Sequence, residues 1–389
     1  MPDVILIEPC NFEDFPAGGQ LSSARHMMKA FGSRLALVGI STDETPIGRW
    51  VKKKFDGVQC DFFAVGRWIP SSRKPLIPAR ITAYLQMKRY KKKIMSLGVS
   101  SAFIQSPQTL IAVRDWGWNS ICYWCPGLNN PLDMPRYRWG KLLAGLFFKK
   151  WITSLTKVDV ILAAADDKSI DAFVTRSGGA LTRDRVIKFP TRVDTSVFRP
   201  INKAIARKEL GIHQNDLLIV NCGRINAVKG WDFIIEAFKL FHEKHPAAKL
   251  VYVGDGEDRP ALEQAVNRFG LGQSVAVTGF QPPEIVARYL NATDLCAVGS
   301  HMEGWSVAML EALACAKPIV STNVSGALDM ILGGGNGYIV EKRDPNCFAE
   351  AMNRSLALKE ADKISLGLAD KYALKNLARE LGMLWKPLA

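Results

Sequence analysis

The apolar positions of this chain fall into short continuous runs separated by amphipathic stretches. VILI at 4–7 is followed by the glycine turn PAGGQ, then LSSARHMMKAF at helical spacing, then the apolar RLALVGI. Strands apolar on both faces are covered by helices on both faces, so this order predicts a parallel sheet. SSAFIQS, NSICYW, VDVILAAA and RVIKFP supply further strands. A segment without a sustained period follows, KFPTRVDTSVFRPINKA, with prolines at 190 and 200. The alternation then restarts through LLIVNCG, AKLVYVG, SVAVTG, DLCAVGS and PIVSTN, each followed by a helical stretch. The pattern predicts an α/β chain of two doubly wound domains, 1–198 and 199–365, facing a central cleft. The helical segment 366–389 is expected to pack back toward the first domain.

Charge distinguishes the two halves. Residues 1–200 hold 30 Lys and Arg against 16 Asp and Glu, whereas 201–389 hold 21 of each. The net +14 therefore lies entirely in the first half, which should face an anionic partner. No apolar run reaches the ~18 residues that span a bilayer, and the N-terminal VILI reads as a strand rather than a signal peptide. The eight cysteines are scattered and mostly apolar in context, as in a reduced cytosolic protein. The close pair Cys122 and Cys125 has no partner pair or nearby His, so packed thiols are expected rather than a metal site.

In parallel sheets ligands sit beyond the carboxyl ends of the strands, so the loops there carry the chemistry. After LLIVNC come Gly223, Arg224 and, before the next helix, Lys229, two cations that suit a diphosphate. After DLCAVG comes SHMEGWSVAMLEALA. Glu303 is expected in the loop and Glu311 in the second turn of a helix starting near Ser306. Carboxylates accept hydrogen bonds from vicinal hydroxyls of ribose or hexose. The amides of Gly304, Trp305, Ser306 and Val307 form a helix N-terminus that favours phosphate oxygens. In the first half, Gly18 and Gly19 occupy the first strand–helix turn. No acidic ribose hook for NAD is placed there, which disfavours a dehydrogenase. Asp255-Gly256-Glu257 reads as a turn rather than a metal-binding D-x-D.

The ordered motifs GR-x4-KG, VYVGDGE, VTGF, S-x2-EG-x6-EALA, KPIV and GGNGYIV resemble the retaining glycosyltransferases of family 4, in the glycosyl transferases group 1. The resemblance is dense from Asn221 to Val340 and thinner in the first half. It implies a GT-B fold of two Rossmann-like domains, an acceptor-binding N-terminal one and a nucleotide-sugar-binding C-terminal one. It also implies the residue roles. Arg224 and Lys229 neutralise the departing diphosphate, Glu303 lies beside the donor sugar, and Glu311 binds ribose hydroxyls. Gly304, Trp305, Ser306 and Val307 meet phosphate and sugar, Gly19 and Gly223 approach the donor, and Gly279 and Phe280 lie near the nucleobase. Gln105 stands in the first domain where many relatives carry a histidine, Ala165 replaces a serine, and Thr191-Arg192-Val193-Asp194 replaces N-G-V-D.

The implied activity is retaining transfer of a hexose from a nucleotide-diphosphate sugar to a saccharide, without metal or other cofactor. The alternative is a GT-B nucleotide- or saccharide-binding protein without turnover. Lys52-Lys53-Lys54, Arg67 through Lys74 and Lys88 through Lys93 cluster in the acceptor domain. In the stretch 141–157, Leu142, Leu143, Leu146, Phe147, Trp151, Ile152 and Leu155 form one helical stripe, suited either to a bilayer interface or to a core. These features point to a cytoplasmic enzyme peripheral on the inner face of the membrane, with a lipid-linked acceptor in cell-surface polysaccharide (lipopolysaccharide) assembly. Nucleic acid is disfavoured because aromatics do not interleave with the lysines.

Overall fold

The short apolar runs become strands in a computed structural model, which describes residues 1–16, 18–68, 79–133 and 138–389. Contacts divide the chain into two units, Met1–Thr191 with Lys375–Ala389, and Arg192–Leu374. The change of unit thus falls a few residues before the expected boundary at 198, and the return a few after 365.

The first unit holds β1 (Val4–Ile7), β2 (Leu35–Ser41), β3 (Trp50–Phe55), β4 (Val58–Arg67), β5 (Ser101–Ile104), β6 (Ser120–Cys125), β7 (Val160–Ala163) and β8 (Val186–Lys188). Their order is β3-β4-β2-β1-β5-β6-β7-β8. All neighbours pair in parallel except the hairpin β3–β4. That hairpin contains the expected surface cluster Lys52-Lys53-Lys54, and its alternation explains the outcome. Lys52 and Lys54 point outward, while Lys53 is half-buried beside Phe55 and Phe62 and pairs with Asp43 at 2.8 Å and Glu13 at 3.3 Å. Lys53 is thereby an internal tie rather than a docking cation. The basic stretch starting at Arg67 lies outside the described residues from position 69 on.

The helices of this unit are α1 (Gly19–Phe31), α2 (Ala79–Met95), α3 (Pro107–Val113), α4 (Ala144–Leu155) and α5 (Asp167–Arg176). Each buries its apolar face on the sheet, and Asp166 caps α5 by accepting from the Ser169 amide at 2.7 Å. The stripe expected along 141–157 divides in two. Trp151, Ile152 and Leu155 are core, whereas Leu142, Leu143 and Leu146 stand exposed on the preceding turns. Cys122 and Cys125 are both buried and unpaired, and burial pushes the Cys125 thiol up to about 12.

The second unit carries β9 (Leu217–Cys222), β10 (Ala248–Val253), β11 (Val275–Val277), β12 (Leu295–Val298), β13 (Ile319–Thr322) and β14 (Gly337–Val340), all parallel, in the order β11-β10-β9-β12-β13-β14. Its helices are α6 (Lys203–Glu209), α7 (Trp231–Lys244), α8 (Arg259–Arg268), α9 (Pro283–Ala292), α10 (Val307–Ala314), α11 (Ala327–Met330), α12 (Pro345–Ser355) and α13 (Ala361–Lys371). The core between the sheet and helices α7, α8 and α12 is built from Phe233, Phe238, Phe241 and Phe348 with aliphatic strand residues.

The segment expected as one returning helix at 366–389 is divided. Helix α13 packs on α10 in the second unit, and only Lys375–Ala389, with α14 (Leu377–Leu384), belongs to the first. Three contacts tie that tail down. Trp385 is buried against Phe103, its indole N–H donates to Ser120 Oγ at 2.8 Å, and Arg34 donates to the carbonyls of the last residues. Trp385→Ala is expected to cost about 3–5 kcal/mol, read as a lower urea midpoint for the first unit, while Met383→Ala, exposed on the same tail, leaves it unchanged.

Candidate active site

The strand order of the second unit reverses between β9 and β12. The chain leaves β9 toward β10 on one side and leaves β12 toward β13 on the other, so the loops after these two strands part and leave a crevice. The β9–β12 ladder covers only Ile219 with Leu295 and Val220 with Cys296; beyond it, the Asn221 side chain donates to the Ala297 carbonyl at 2.7 Å and holds the strand ends together.

The loop after β9 is fixed by its backbone. The amides of Gly223 and Ile225 donate to the carbonyls of Val253 and Asp255, and Asn226 accepts from the Lys229 amide at 3.0 Å. Gly230 follows in the left-handed region at φ 65°, and a Cβ there would lie 2.0 Å from the Gly299 carbonyl oxygen. Only glycine permits that approach. It brings the two loops into register, and the His301 amide donates to the Val228 carbonyl at 2.8 Å.

This registration places Lys229 Nζ 2.7 Å from Glu303 Oε1 and 2.9 Å from Oε2. Ser300 Oγ donates to the same carboxylate at 2.6 Å. Ser300 is itself held: its carbonyl accepts from Thr322 Oγ1 at 2.6 Å and from Arg343 Nη1, which also donates to Gly299 and packs its guanidinium over the Phe233 ring. The Glu303 side chain is 9% exposed and that of Lys229 is 34%. A carboxylate so enclosed is stable only with such partners. Arg224 sits exposed on the same loop.

Helix α10 begins at Val307, and Ser306 caps it by accepting from the Met309 amide. Among the described residues the amides of Gly304, Ser306 and Val307 donate to no protein group. Trp305 contributes only backbone here, since its indole is buried against Tyr372 and the Gly326 Cα. Glu311 lies on α10, half-buried near the thiols of Cys222, Cys296 and Cys315. Desolvation pushes its pKa up to about 8, with the charge of Lys229 pulling the other way.

The remaining candidates are more dispersed. Gly279 follows β11, bridges to Gly254 and is left-handed at φ 74°, with Phe280 exposed beside it. Asp255-Gly256-Glu257 forms the turn before α8, with Asp255 paired to Arg259 at 3.2 Å. In the first unit, Gly19 starts α1. Gln105 is buried at the carboxyl end of β5, where its Nε2 donates to Ser23 Oγ at 2.9 Å and its Oε1 has no hydrogen-bond partner among the described residues. No role for Ser300, Thr322 or Arg343 was read from the sequence. Ser300 opens the S-x2-E motif and was legible; Arg343 acts from some forty positions away and left no local signal.

The raised pKa of Glu311 has a consequence for stability. An unfolded glutamate holds its proton to about 4.5, and the folded one to about 8. Between those values the folded state binds more protons, so this group makes stability fall as pH rises through the window. Glu311→Gln is expected to flatten that slope, read from urea midpoints of both proteins between about pH 5 and 8.

With this geometry in hand, residues 202–365 match the family model described as glycosyl transferases group 1. D-inositol 3-phosphate glycosyltransferase of Segniliparus rotundus is 31% identical over 44% of this chain and 39% of its own length. The chain thus spans about two fifths of the length of such curated relatives. Among solved structures, sucrose-phosphate synthase from Thermosynechococcus elongatus superposes with a TM-score of 0.79 at 18% identity, covering 99% of this chain and 98% of that one. HepE of Anabaena in complex with UDP and glucose gives 0.72 at 15% identity, covering 99% and 100%. Residues 202–365 are therefore similar to the glycosyl transferases group 1 family, in a chain that has the α/β GT-B fold of two Rossmann-like units.

Proposed function

We propose that the protein is a retaining glycosyltransferase that moves a sugar from a nucleotide-diphosphate donor to a lipid-carried saccharide during assembly of a cell-surface polysaccharide. The observation that carries this reading is the Lys229–Glu303–Ser300 cluster at the strand-order reversal, with Arg224 on one loop and the start of α10 on the other. HepE, a relative in fold, is a complex with UDP and glucose, which supports a nucleotide-sugar donor.

In this mechanism the C1–oxygen bond to the β-phosphate breaks while a bond from the acceptor hydroxyl oxygen to C1 forms on the same face. The acceptor proton passes to the departing phosphate oxygen. Arg224, Lys229 and the amides at the start of α10 stabilise the charge that grows on the diphosphate. Glu303, fixed by Ser300, orients Lys229 and accepts from sugar hydroxyls. These cations do the neutralising that a metal ion does elsewhere, so the reaction proceeds in EDTA. Gln105, which cannot titrate, faces the acceptor side by position only. A protein that binds nucleotide without turnover is the reading that remains should transfer fail.

Glu311 accepts from the ribose hydroxyls as a carboxylate. Because burial raises its pKa to about 8, nucleotide binding near neutral pH is accompanied by release of a proton. Calorimetry in buffers of different ionisation enthalpy is expected to show proton release by the wild type and none by Glu311→Gln. Arg224→Ala is expected to lower kcat by about 10²–10³. NMR of the product anomer tests retention directly, and an inverted product overturns the mechanism.

We also place the enzyme at the cytosolic face of an anionic membrane. The exposed Leu142, Leu143 and Leu146 beside Lys141, Lys149 and Lys150 support this reading, as do the eight unpaired cysteines. L142S/L143S/L146S is expected to reduce sedimentation with anionic vesicles while leaving transfer to a soluble acceptor analogue intact; unchanged sedimentation removes this surface from membrane contact.

A further inference from the structure

A second cationic site lies in the first unit, away from the carboxyl ends of its strands. Helices α2, α3 and α4 leave a cavity of about 270 Å³ between them, close to the ~300 Å³ lower limit of small-ligand pockets. Lys88 and Lys91 line it from α2, one helical turn apart on the same face; Arg114 lines it from the end of α3, and Lys150 from α4. These residues precede β5, β6 and β7, so the cavity opens at the amino edge of the sheet, opposite Gln105.

The charge there is in surplus. Asp115 is the acid in the lining, and it is already shared between Arg114 at 3.1 Å and Lys157 at 2.6 Å. The carboxyl-terminal dipoles of α2 and α3 contribute about half a negative charge each, which does not offset four cations. Arg114 is pre-set rather than loose: its side chain is 15% exposed, Nε is bound to Asp115, and Nη1 donates to Ser154 Oγ and the Lys150 carbonyl. Nη2 has no protein acceptor among the described residues. Lys150 makes no side-chain hydrogen bond or ion pair among them either. The lining also includes Ile111, Ala112 and Trp116, the last stacked on Trp118 at 6.0 Å, with the Trp118 indole donating to the Val113 carbonyl.

We propose that this cavity binds a phosphate ester, with the anion among Lys88, Lys91, Arg114 and Lys150 and the organic part against Trp116. A guanidinium held in a fixed plane with lysines around it is the donor set that phosphate oxygens fit. The ester comes either from a soluble metabolite or from a phospholipid headgroup. Leu85 and Leu146, both exposed, stand one helical turn from Lys88 and Lys150. The inference is independent of glycosyl transfer, because its readout is binding in a different unit.

The test uses the full chain carrying Arg224→Ala, which weakens phosphate binding in the second unit while leaving the Lys229–Glu303 pair intact. Glycerol phosphate is titrated by calorimetry, and phosphatidylcholine vesicles with and without phosphatidic acid are sedimented. K88A/K150A removes two exposed charges from the cavity, and K54A/K168A removes two exposed charges elsewhere in the same unit. K88A/K150A removes charge-assisted hydrogen-bond donors and is expected to weaken saturable binding about tenfold or more. K54A/K168A is expected to weaken it less than about twofold. Loss with glycerol phosphate identifies a soluble ester; loss with phosphatidic acid vesicles alone identifies a headgroup. Equal weakening by both pairs, or no saturable binding of either probe, overturns the proposal.

Discussion

The ion pair between Lys229 and Glu303 is the point on which the second unit's candidate site depends. It joins two loops that the strand order drives apart, and it can form only because Gly230 lets the backbone touch Gly299. Enclosure makes the pair consequential. A carboxylate with 9% of its side chain exposed loses far more when its partner is removed than the pair gains over two apolar residues. The supports behind it follow from that cost. Ser300 donates to the carboxylate, Thr322 and Arg343 hold Ser300, and Phe233 holds Arg343. A cation fixed in this way is already organised in the folded protein, which is the arrangement the proposed transfer requires.

Glu311 stands in contrast, one helix away. Glu303 is satisfied by a lysine and a hydroxyl, whereas Glu311 sits among thiols and a helix, where desolvation raises its pKa to about 8. Two carboxylates on one loop and helix thus have different chemistry by environment. Glu303 is bound by Lys229 Nζ and Ser300 Oγ. The other is held toward its protonated form by burial, against the pull of the Lys229 charge.

Much of this was legible in the sequence, because continuous apolar runs of four to seven residues admit few alternatives to buried parallel strands. The loop cations and both glutamates followed from their place after such strands. Three things escaped for physical reasons. The β3–β4 hairpin was hidden because its alternation reads as a lysine cluster, and only cross-strand pairing shows Lys53 turned inward. The stripe at 141–157 was one period in sequence, but the sheet covers only its last two turns, so the leucines at its start remain outside. The tail divided because Trp385 finds its cavity beside Phe103 while α13 finds its own on α10; periodicity alone does not choose among buried surfaces.

The most direct measurement is thermal unfolding of the intact protein with EDTA against a panel of nucleoside diphosphates, one per base. A ligand at 100 times its dissociation constant stabilises the folded state by about 2.7 kcal/mol. The account expects one base to raise the midpoint clearly in the wild type, and the shift to vanish in Lys229→Ala. No shift from any nucleoside diphosphate, or an undiminished shift in that variant, contradicts the assignment of this crevice to a diphosphate.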